Sequence, residues 1–365
     1  PILLLGSLII LVLGFKELGG WDEMMRVCGA VTVNDYGDTM TNLIRSNDDA
    51  NFPWLGALIG SAIIGFWYWC TDQFIVQRVL SGKNEMEARR GTIFGAYLKL
   101  LPVFLFLIPG MIAFALHQKY IGAGGEGFLP MLENGTANAD AAFPTLVAKL
   151  LPAGVKGLVV CGILAALMSS LASLFNSSAM LFTIDFYKRF RPQTSEKKLV
   201  GIGQVATVVI VILGILWIPI MRSVGDVLYT YLQDVQSVLA PGIAAAFLLG
   251  ICWKRTSAQG GMWGLISGMV IGLTRLGAKV YYSNAGEVAD STFKYLFYDM
   301  NWLFFCGWMF LFCIIVVIVV SLATEAPTAE KIQGLVFGTA TKEQKASTRA
   351  SWNHWDIIHT VIILA

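Results

Sequence analysis

The chain has 365 residues, of which 56% are hydrophobic and only 14% charged, with a formal net charge of +2. A soluble domain carries nearer a quarter charged residues, so this composition argues against a water-soluble fold, and so balanced a charge says nothing of nucleic acid. The mean hydropathy of +0.66 and the bunching of charges between apolar runs point to a bilayer.

Crossing about 30 Å of hydrocarbon takes roughly 20 apolar residues in a helix. Eight runs meet this, at about 1–20, 54–80, 93–117, 154–184, 199–220, 226–252, 260–282 and 301–323, and a ninth begins near 353 and is cut off at the final VIILA. Backbone groups in lipid must be satisfied within the segment, so the expected fold class is all-α and polytopic, residues 1–365 forming one transmembrane domain. Pro1 opens directly into an apolar run without a signal peptide, and the chain reads as a fragment cut at both ends.

Charge in the loops orients these spans. Arg78, Lys83, Arg89 and Arg90 follow the second run, and Lys188, Arg189, Arg191, Lys197 and Lys198 follow the fourth. Lys254 and Arg255 follow the sixth, and Lys331, Lys342, Lys345 and Arg349 follow the eighth. The loops between are less basic for their length: 21–53 holds Arg26 and Arg45 against six acids, and 118–153 holds Lys119 and Lys149. The alternation puts loops 78–92, 185–198, 253–259 and 324–352 in the cytoplasm, and the first span is expected to start there.

Loop 118–153 is rich in Gly, Ala and Asn and is expected to be polar and extracytoplasmic; its sequon Asn134-Gly135-Thr136 carries little weight. The six cysteines show no paired spacing, and all but Cys28 lie in apolar runs, as small packing residues would. His117, His354 and His359 are scattered, without metal-ligand spacing.

An ionisable or strongly polar side chain inside a span costs a few kcal/mol on insertion scales and usually faces the bundle interior. Four places stand out. In the second run Trp67, Tyr68 and Trp69 precede Asp72, Gln73 and Gln77, with Gly65 as a candidate helix break. Rings beside hydrogen-bonding groups suit a sugar, whose C–H faces stack while its hydroxyls need paired donors and acceptors. An interfacial aromatic belt with an Asp72–Arg78 pair is the other reading, and both stay open here. Lys99, in GAYLKLLP, faces either a solute or, by snorkelling, the cytoplasmic interface.

The third place is the fourth run. Ser169, Ser173 and Ser177 recur at four-residue spacing with Ser170 adjacent. Hydroxyls plus carbonyls of a distorted helix provide the oxygens a sodium ion needs, whereas plain helix packing by small residues explains the same spacing. The fourth is YTYLQDVQSVLAPG, where Gln233 and Gln236 share a face and Asp234 and Ser237 accompany them ahead of Pro241 and Gly242; a solute role is the favoured reading, and structural hydrogen bonding between helices is the alternative. These patches describe a cavity for something polar. They do not describe an enzyme, since no HExxH, Ser/His/Asp set, phosphate loop or cofactor box is present, nor a channel filter with a repeated ring motif.

The stretches WYWCTDQFIVQR, GAYLKLLP, LAALMSSLASLFNSSAMLFTIDFYKR and YLQDVQSVLAPGIAAAFLLGICWKR resemble the sodium/glucose cotransporters of the sodium/solute symporter family, and the likeness runs through essentially the whole chain. It implies a LeuT-type inverted-repeat bundle, here core helices five to ten plus peripheral helices, with core helices one to four absent. It also implies a plasma or bacterial inner membrane location. Matched residue by residue, Gln233 and Lys99 would bind sugar, Tyr68 would stack on the pyranose as an inner gate beside Trp69, and Ala166, Ser169 and Ser170 would give half of a sodium site.

Three positions depart from the family pattern. Gly65 stands where relatives often carry Asn or Thr toward the sugar, Gln236 stands where Thr is common, and Ala172 stands where a second sodium site has a Thr hydroxyl. The candidate solute residues are therefore Gln233, Lys99, Tyr68, Trp69, Gln236, Asp72 and Gly65, and the coupling is expected to use one sodium ion and no other cofactor. The implied function is sodium-coupled uptake of a glucose- or galactose-like sugar by alternating access. Myo-inositol, another polyol or a sugar acid is the alternative solute, and a sugar-gated sensor or sodium leak channel is the alternative class. With half of each site absent, the 365-residue chain by itself is expected neither to bind sugar tightly nor to transport it.

Overall fold

A chain this apolar closes its backbone hydrogen bonds locally, and helices are how it does so. The computed structural model describes residues 2–132, 135–224, 227–285 and 289–364; Asn134 of the sequon lies outside the described residues. In chain order the helices are α1 (Ile2–Leu18), α2 (Trp21–Gly29), α3 (Trp54–Cys70), α4 (Gln73–Leu80), α5 (Glu85–Leu98), α6 (Ile108–Gly122), α7 (Ala142–Leu150), α8 (Ala153–Met180), α9 (Lys188–Phe190) and α10 (Glu196–Val224). They continue as α11 (Leu228–Cys252), α12 (Ala258–Asn284), α13 (Thr292–Lys294), α14 (Trp302–Ala323), α15 (Ala329–Ile332), α16 (Lys342–Ala350) and α17 (His354–Leu364). Wide π-turns run through Val103–Leu107, Leu181–Tyr187 and Tyr295–Asp299. Extended pairing among the described residues is limited to the isolated bridges Thr32–Thr39 and Met131–Ala137.

Among the described residues, five helical stretches are long and apolar enough to cross a membrane, or seven if the bent pairs α1–α2 and α3–α4 each count as one. The expected run at 260–282 lies in α12, a 27-residue helix that is not among them. Its face is made of Gly260, Gly264, Gly268 and Gly272, with Arg275 and Lys279 beyond, and these residues serve neighbouring helices rather than lipid. The run at 93–117 sits within a helical stretch of 38 residues, Glu85–Gly122, whose first turns are helical but too hydrophilic to register as apolar.

The helices group into two compact units. The first comprises Pro1–Ile44 and Gly95–Leu216. Here α1 lies against α6, α7 and α8 around Ile10, Leu18, Ile112, Leu116, Leu146 and Val159. Gly6 and Gly14 let it approach: a Cβ on Gly14 would stand 2.8 Å from Ile112 Cγ2. α1 stops at Gly19 and Gly20, both with φ near +110°, and both amides return to the Phe15 carbonyl at 2.9 Å. Lys119 Nζ donates to the Glu17 and Leu18 carbonyls at 3.1 Å, satisfying the open end of the helix. The stretch 118–153 is more structured than the expected polar loop. It contains α7 with buried Leu146 and Val147, Lys149 Nζ donates to the Phe128 carbonyl at 2.8 Å, and buried His117 accepts from the Leu129 amide through Nδ1 at 3.0 Å.

The second unit comprises Arg45–Phe94 and Trp217–Ala365, with α3, α11, α12 and α14 at its centre. Small residues set the spacing. A Cβ on Gly268 would lie 2.9 Å from the Gly242 Cα, and one on Gly60 would lie 2.9 Å from the Leu303 carbonyl oxygen. Side chains on the Gly264 and Gly260 positions would collide with Val317 and Ser321 of α14. Such contacts replace the hydrophobic drive that lipid does not supply. The cysteines divide: Cys28, Cys306 and Cys313 are buried and pack, while Cys70, Cys161 and Cys252 are exposed and do not show the packing expected of them.

Gly268→Leu is expected to wedge α11 from α12 and cost about 1–3 kcal/mol, lowering the midpoint of thermal unfolding in detergent. Gly261→Ala, whose added Cβ meets nothing within 4 Å, is the control and should leave the midpoint unchanged or raised.

Candidate functional site

The aromatic residues of the second run form the last turn of α3. Tyr68 packs edge-on to Trp69 with ring centroids 5.3 Å apart, and its ring is 6.2 Å from that of Trp67. The helix then breaks and α4 leaves at 50°. The break is at Thr71, with φ −128° and ψ −19°; α3 runs unbroken through Gly65, contrary to the expected break there. The Trp67 carbonyl takes the strain, accepting from the Thr71 amide at 3.0 Å, the Thr71 hydroxyl at 2.7 Å and the Asp72 amide at 3.2 Å. Asp72 caps α4 by accepting from the Phe74 amide at 3.0 Å. Arg78 holds its guanidinium 4.7 Å from the centre of the Phe74 ring. A cap is thus the role the geometry gives Asp72. Gly65 faces open space, since a Cβ there would meet nothing within 4 Å.

α11 supplies the second group. Gln233 and Gln236, three residues apart and half-buried, share one side of the helix, and Gln233 Nε2 donates to the Tyr229 hydroxyl at 3.3 Å. Pro241 has no N–H to offer the Ser237 carbonyl, and the Ser237 hydroxyl turns to the Asp234 carbonyl at 2.6 Å. The unit brings α11 and α3 together: Ala240 and Ala244 pack with Ile63 and Ile64, and Phe66 and Trp67 join the same cluster. The glutamine-bearing and aromatic-bearing helices are therefore direct neighbours.

Asp234 departs from the polar set in which the sequence places it. Its carboxylate meets Arg275 Nη2 at 3.4 Å on one oxygen and Lys279 Nζ on the other. Sequence reasoning missed Arg275 and Lys279 altogether. The signal was there: they are ionisable residues one turn apart inside an expected span, the property that drew attention to Asp72 and Lys99.

The remaining candidates belong to the other unit. Lys99 is exposed and stands just beyond α5, where Pro102 withholds the N–H that would close the helix. It is about 21 Å along the axis from Glu85 at 1.5 Å per residue, a longer climb than a span beginning at 93 implies. Ala166, Ser169 and Ser170 are exposed on α8. The Ser173 hydroxyl donates back to the Ser169 carbonyl at 3.0 Å and that of Ser177 to the Ser173 carbonyl at 2.9 Å, which assigns these two to the helix itself. α8 is regular across 166–170, and the π-turns begin only at Leu181, so the helix distortion expected beside a sodium ion is not at these residues.

Residues 1–268 match the model of the sodium:solute symporter family. The chain belongs to this family. It is a family of integral membrane transporters and not of enzymes. The chain is 35% identical over 349 residues to the human sodium/myo-inositol cotransporter 2, covering 93% of itself and 52% of that protein. It is 35% identical over 375 residues to a sodium/mannose cotransporter of Bos taurus, covering 97% and 62%. It is 37% identical over 351 residues to the sodium/glucose cotransporter 1 of Ovis aries, covering 89% and 51%. The chain thus spans about half the length of most of these relatives. Among solved structures it resembles a substrate-bound, outward-open sodium-coupled sialic acid symporter, with a TM-score of 0.62 at 20% identity, over 90% of this chain and 61% of the other. That likeness shows the fold, a LeuT-type bundle of helices.

If Asp72 acts as a cap, Asp72→Asn keeps it and Asp72→Ala loses roughly 1 kcal/mol. Thermal unfolding should therefore separate Ala from Asn and leave Asn at the wild-type midpoint; a carboxylate touching a solute would instead show as weakened uptake in the Asn variant.

Proposed function

We propose that this chain operates in a secondary active transporter that couples inward sodium flow to the uptake of a monosaccharide, glucose- or galactose-like, by alternating access. The observation that carries the reading is the packing of α3 on α11, which makes neighbours of the helix bearing Tyr68 and Trp69 and the helix bearing Gln233 and Gln236. Rings to stack on C–H faces and amides to pair with hydroxyls are the two requirements of a sugar. The relatives named for sodium with glucose, mannose and myo-inositol support the same class of solute.

In this reading Gln233 and Lys99 hydrogen-bond the sugar, Tyr68 closes on its ring beside Trp69, and Gln236 contributes its longer reach where relatives often use Thr. Asp72 serves them indirectly by capping α4, and Gly65 leaves room beside the solute. Ala166 through its carbonyl, with the Ser169 and Ser170 hydroxyls, provides part of the sodium site. Ala172 has no hydroxyl for a second ion, so one sodium is coupled per solute. Loops 78–92, 185–198, 253–259 and 324–352 face the cytoplasm, and the first span starts there. The membrane potential supplies about 2.3 kcal/mol per charge per 100 mV, to which the sodium gradient adds.

A second reading keeps the coupling and changes the solute to myo-inositol, another polyol or a sugar acid; the 35% identity to the human sodium/myo-inositol cotransporter 2 favours naming it. Competition among D-glucose, D-galactose, myo-inositol and sialic acid for sodium-dependent uptake into vesicles carrying the protein separates the two. Gln233→Ala should raise KM for the preferred solute at least tenfold, about 1.4 kcal/mol, and Lys99→Ala should abolish uptake. Sodium currents without concentrative uptake would replace the transporter by a sugar-gated sensor or leak channel. The Hill slope of uptake against sodium is expected near one, and a slope near two would overturn the single-ion coupling.

A further inference from the structure

Arg275 is fully buried within the second unit, where its guanidinium meets four partners. It donates to the Met300 carbonyl at 2.8 Å, the Leu296 carbonyl at 3.4 Å and Asp234 Oδ1 at 3.4 Å, and it lies 4.1 Å from the centre of the Phe305 ring. One side chain of α12 thus ties together α11, the π-turn Tyr295–Asp299 and the start of α14. Lys279, one turn further along α12, closes on Asp234 Oδ2. A carboxylate held at both oxygens from one neighbouring helix is not free to rotate, and neither is the helix that carries it.

The two cationic arms differ in their surroundings. The Arg275 arm is sealed, whereas Asp234 and Lys279 line a cavity of about 390 Å³ together with Tyr231, Tyr298, Asp299 and Trp302. Burying charges is costly, and replacing a buried ion cluster by apolar side chains often leaves stability unharmed; the best-attested role of such clusters is to fix register. α11 has something to keep in register. Successive residues of a helix are about 100° apart, so with Asp234 pinned to α12 the side chains of Gln233 and Gln236 are turned away from the cluster.

We propose that Asp234, Arg275 and Lys279 form a charge lock that sets the rotation of α11 about its axis and so positions Gln233 and Gln236. They are positioning residues, not solute contacts. The assignment rests on the reading of Gln233 as a solute-binding residue.

The test uses the wet arm and the shared carboxylate, because Arg275 variants are open to folding failure. Asp234→Asn and Lys279→Gln should each raise KM for the preferred solute roughly five- to twentyfold while kcat changes less than twofold, and Lys279→Arg should restore it. Because the lock acts through Gln233 and Gln236, adding Asp234→Asn to the Gln233→Ala/Gln236→Ala pair should make uptake no worse. Additive losses, or an unchanged KM in a folded Asp234→Asn protein, overturn the proposal. Should Asp234→Asn fail to fold, Lys279→Gln decides by the same criteria.

A second readout needs no solute. With Cys70, Cys161 and Cys252 changed to Ser, Gln233→Cys is labelled by a membrane-impermeant thiol reagent with and without Lys279→Gln. A severalfold change in rate supports the lock, and a change under twofold overturns it. If Gln233→Ala leaves uptake of every solute unaltered, the solute-site reading falls, and the labelling rate still judges whether the cluster sets the rotation.

Discussion

The carboxylate of Asp234, gripped at both oxygens by Arg275 and Lys279, is the interaction around which the second unit is arranged. Without a hydrophobic drive between helices in lipid, close approach and polar glue must hold them. The glycines of α12 allow the approach, and the ion cluster selects one rotation among those the smooth glycine face would tolerate. The two devices need each other: a glycine stripe without the cluster leaves α11 free to turn, and the cluster without the stripe cannot bring its charges within reach. The Met300 carbonyl and the Phe305 ring of α14 then seal the arrangement.

Much of this was legible in the residues. The apolar runs mark the long helices because hydrocarbon demands length and apolarity, and the charge clusters fall between them for the same reason. Helix ends were less legible. The turns Glu85–Arg90 of α5 are helical yet hydrophilic, α7 lies inside a segment that reads as loop, and the break in the second run is at Thr71 rather than at the glycine six residues before it. A glycine permits a break, but a residue with a hydroxyl to donate to the preceding turn, followed by an aspartate able to cap the next helix, satisfies one.

The candidate site was legible by residue type and less so by role. Gln233, Tyr68 and their neighbours stand on helices that pack together, which no spacing within either helix foretells. Asp72 and Asp234 show the limit. Both are carboxylates in spans, yet one is spent on a backbone amide and the other on two cations from a helix forty residues away in sequence, and a partner at such a distance leaves no local signature. The serines of α8 divide likewise: Ser173 and Ser177 serve their own helix, while Ser169 and Ser170 leave theirs exposed.

The joint at Thr71 has a mechanical consequence. Three donors converge on the Trp67 carbonyl, and the Asp72 carboxylate accepts from the Phe74 amide, so the Thr71, Asp72 and Phe74 amides at the bend are each satisfied locally. A hinge elsewhere in hydrocarbon would bare amides as it flexed, at several kcal/mol each. This one carries its own solvation with it. The 50° bend thus keeps these amides paired, and the joint can sit in hydrocarbon without the cost that a bared amide would carry there.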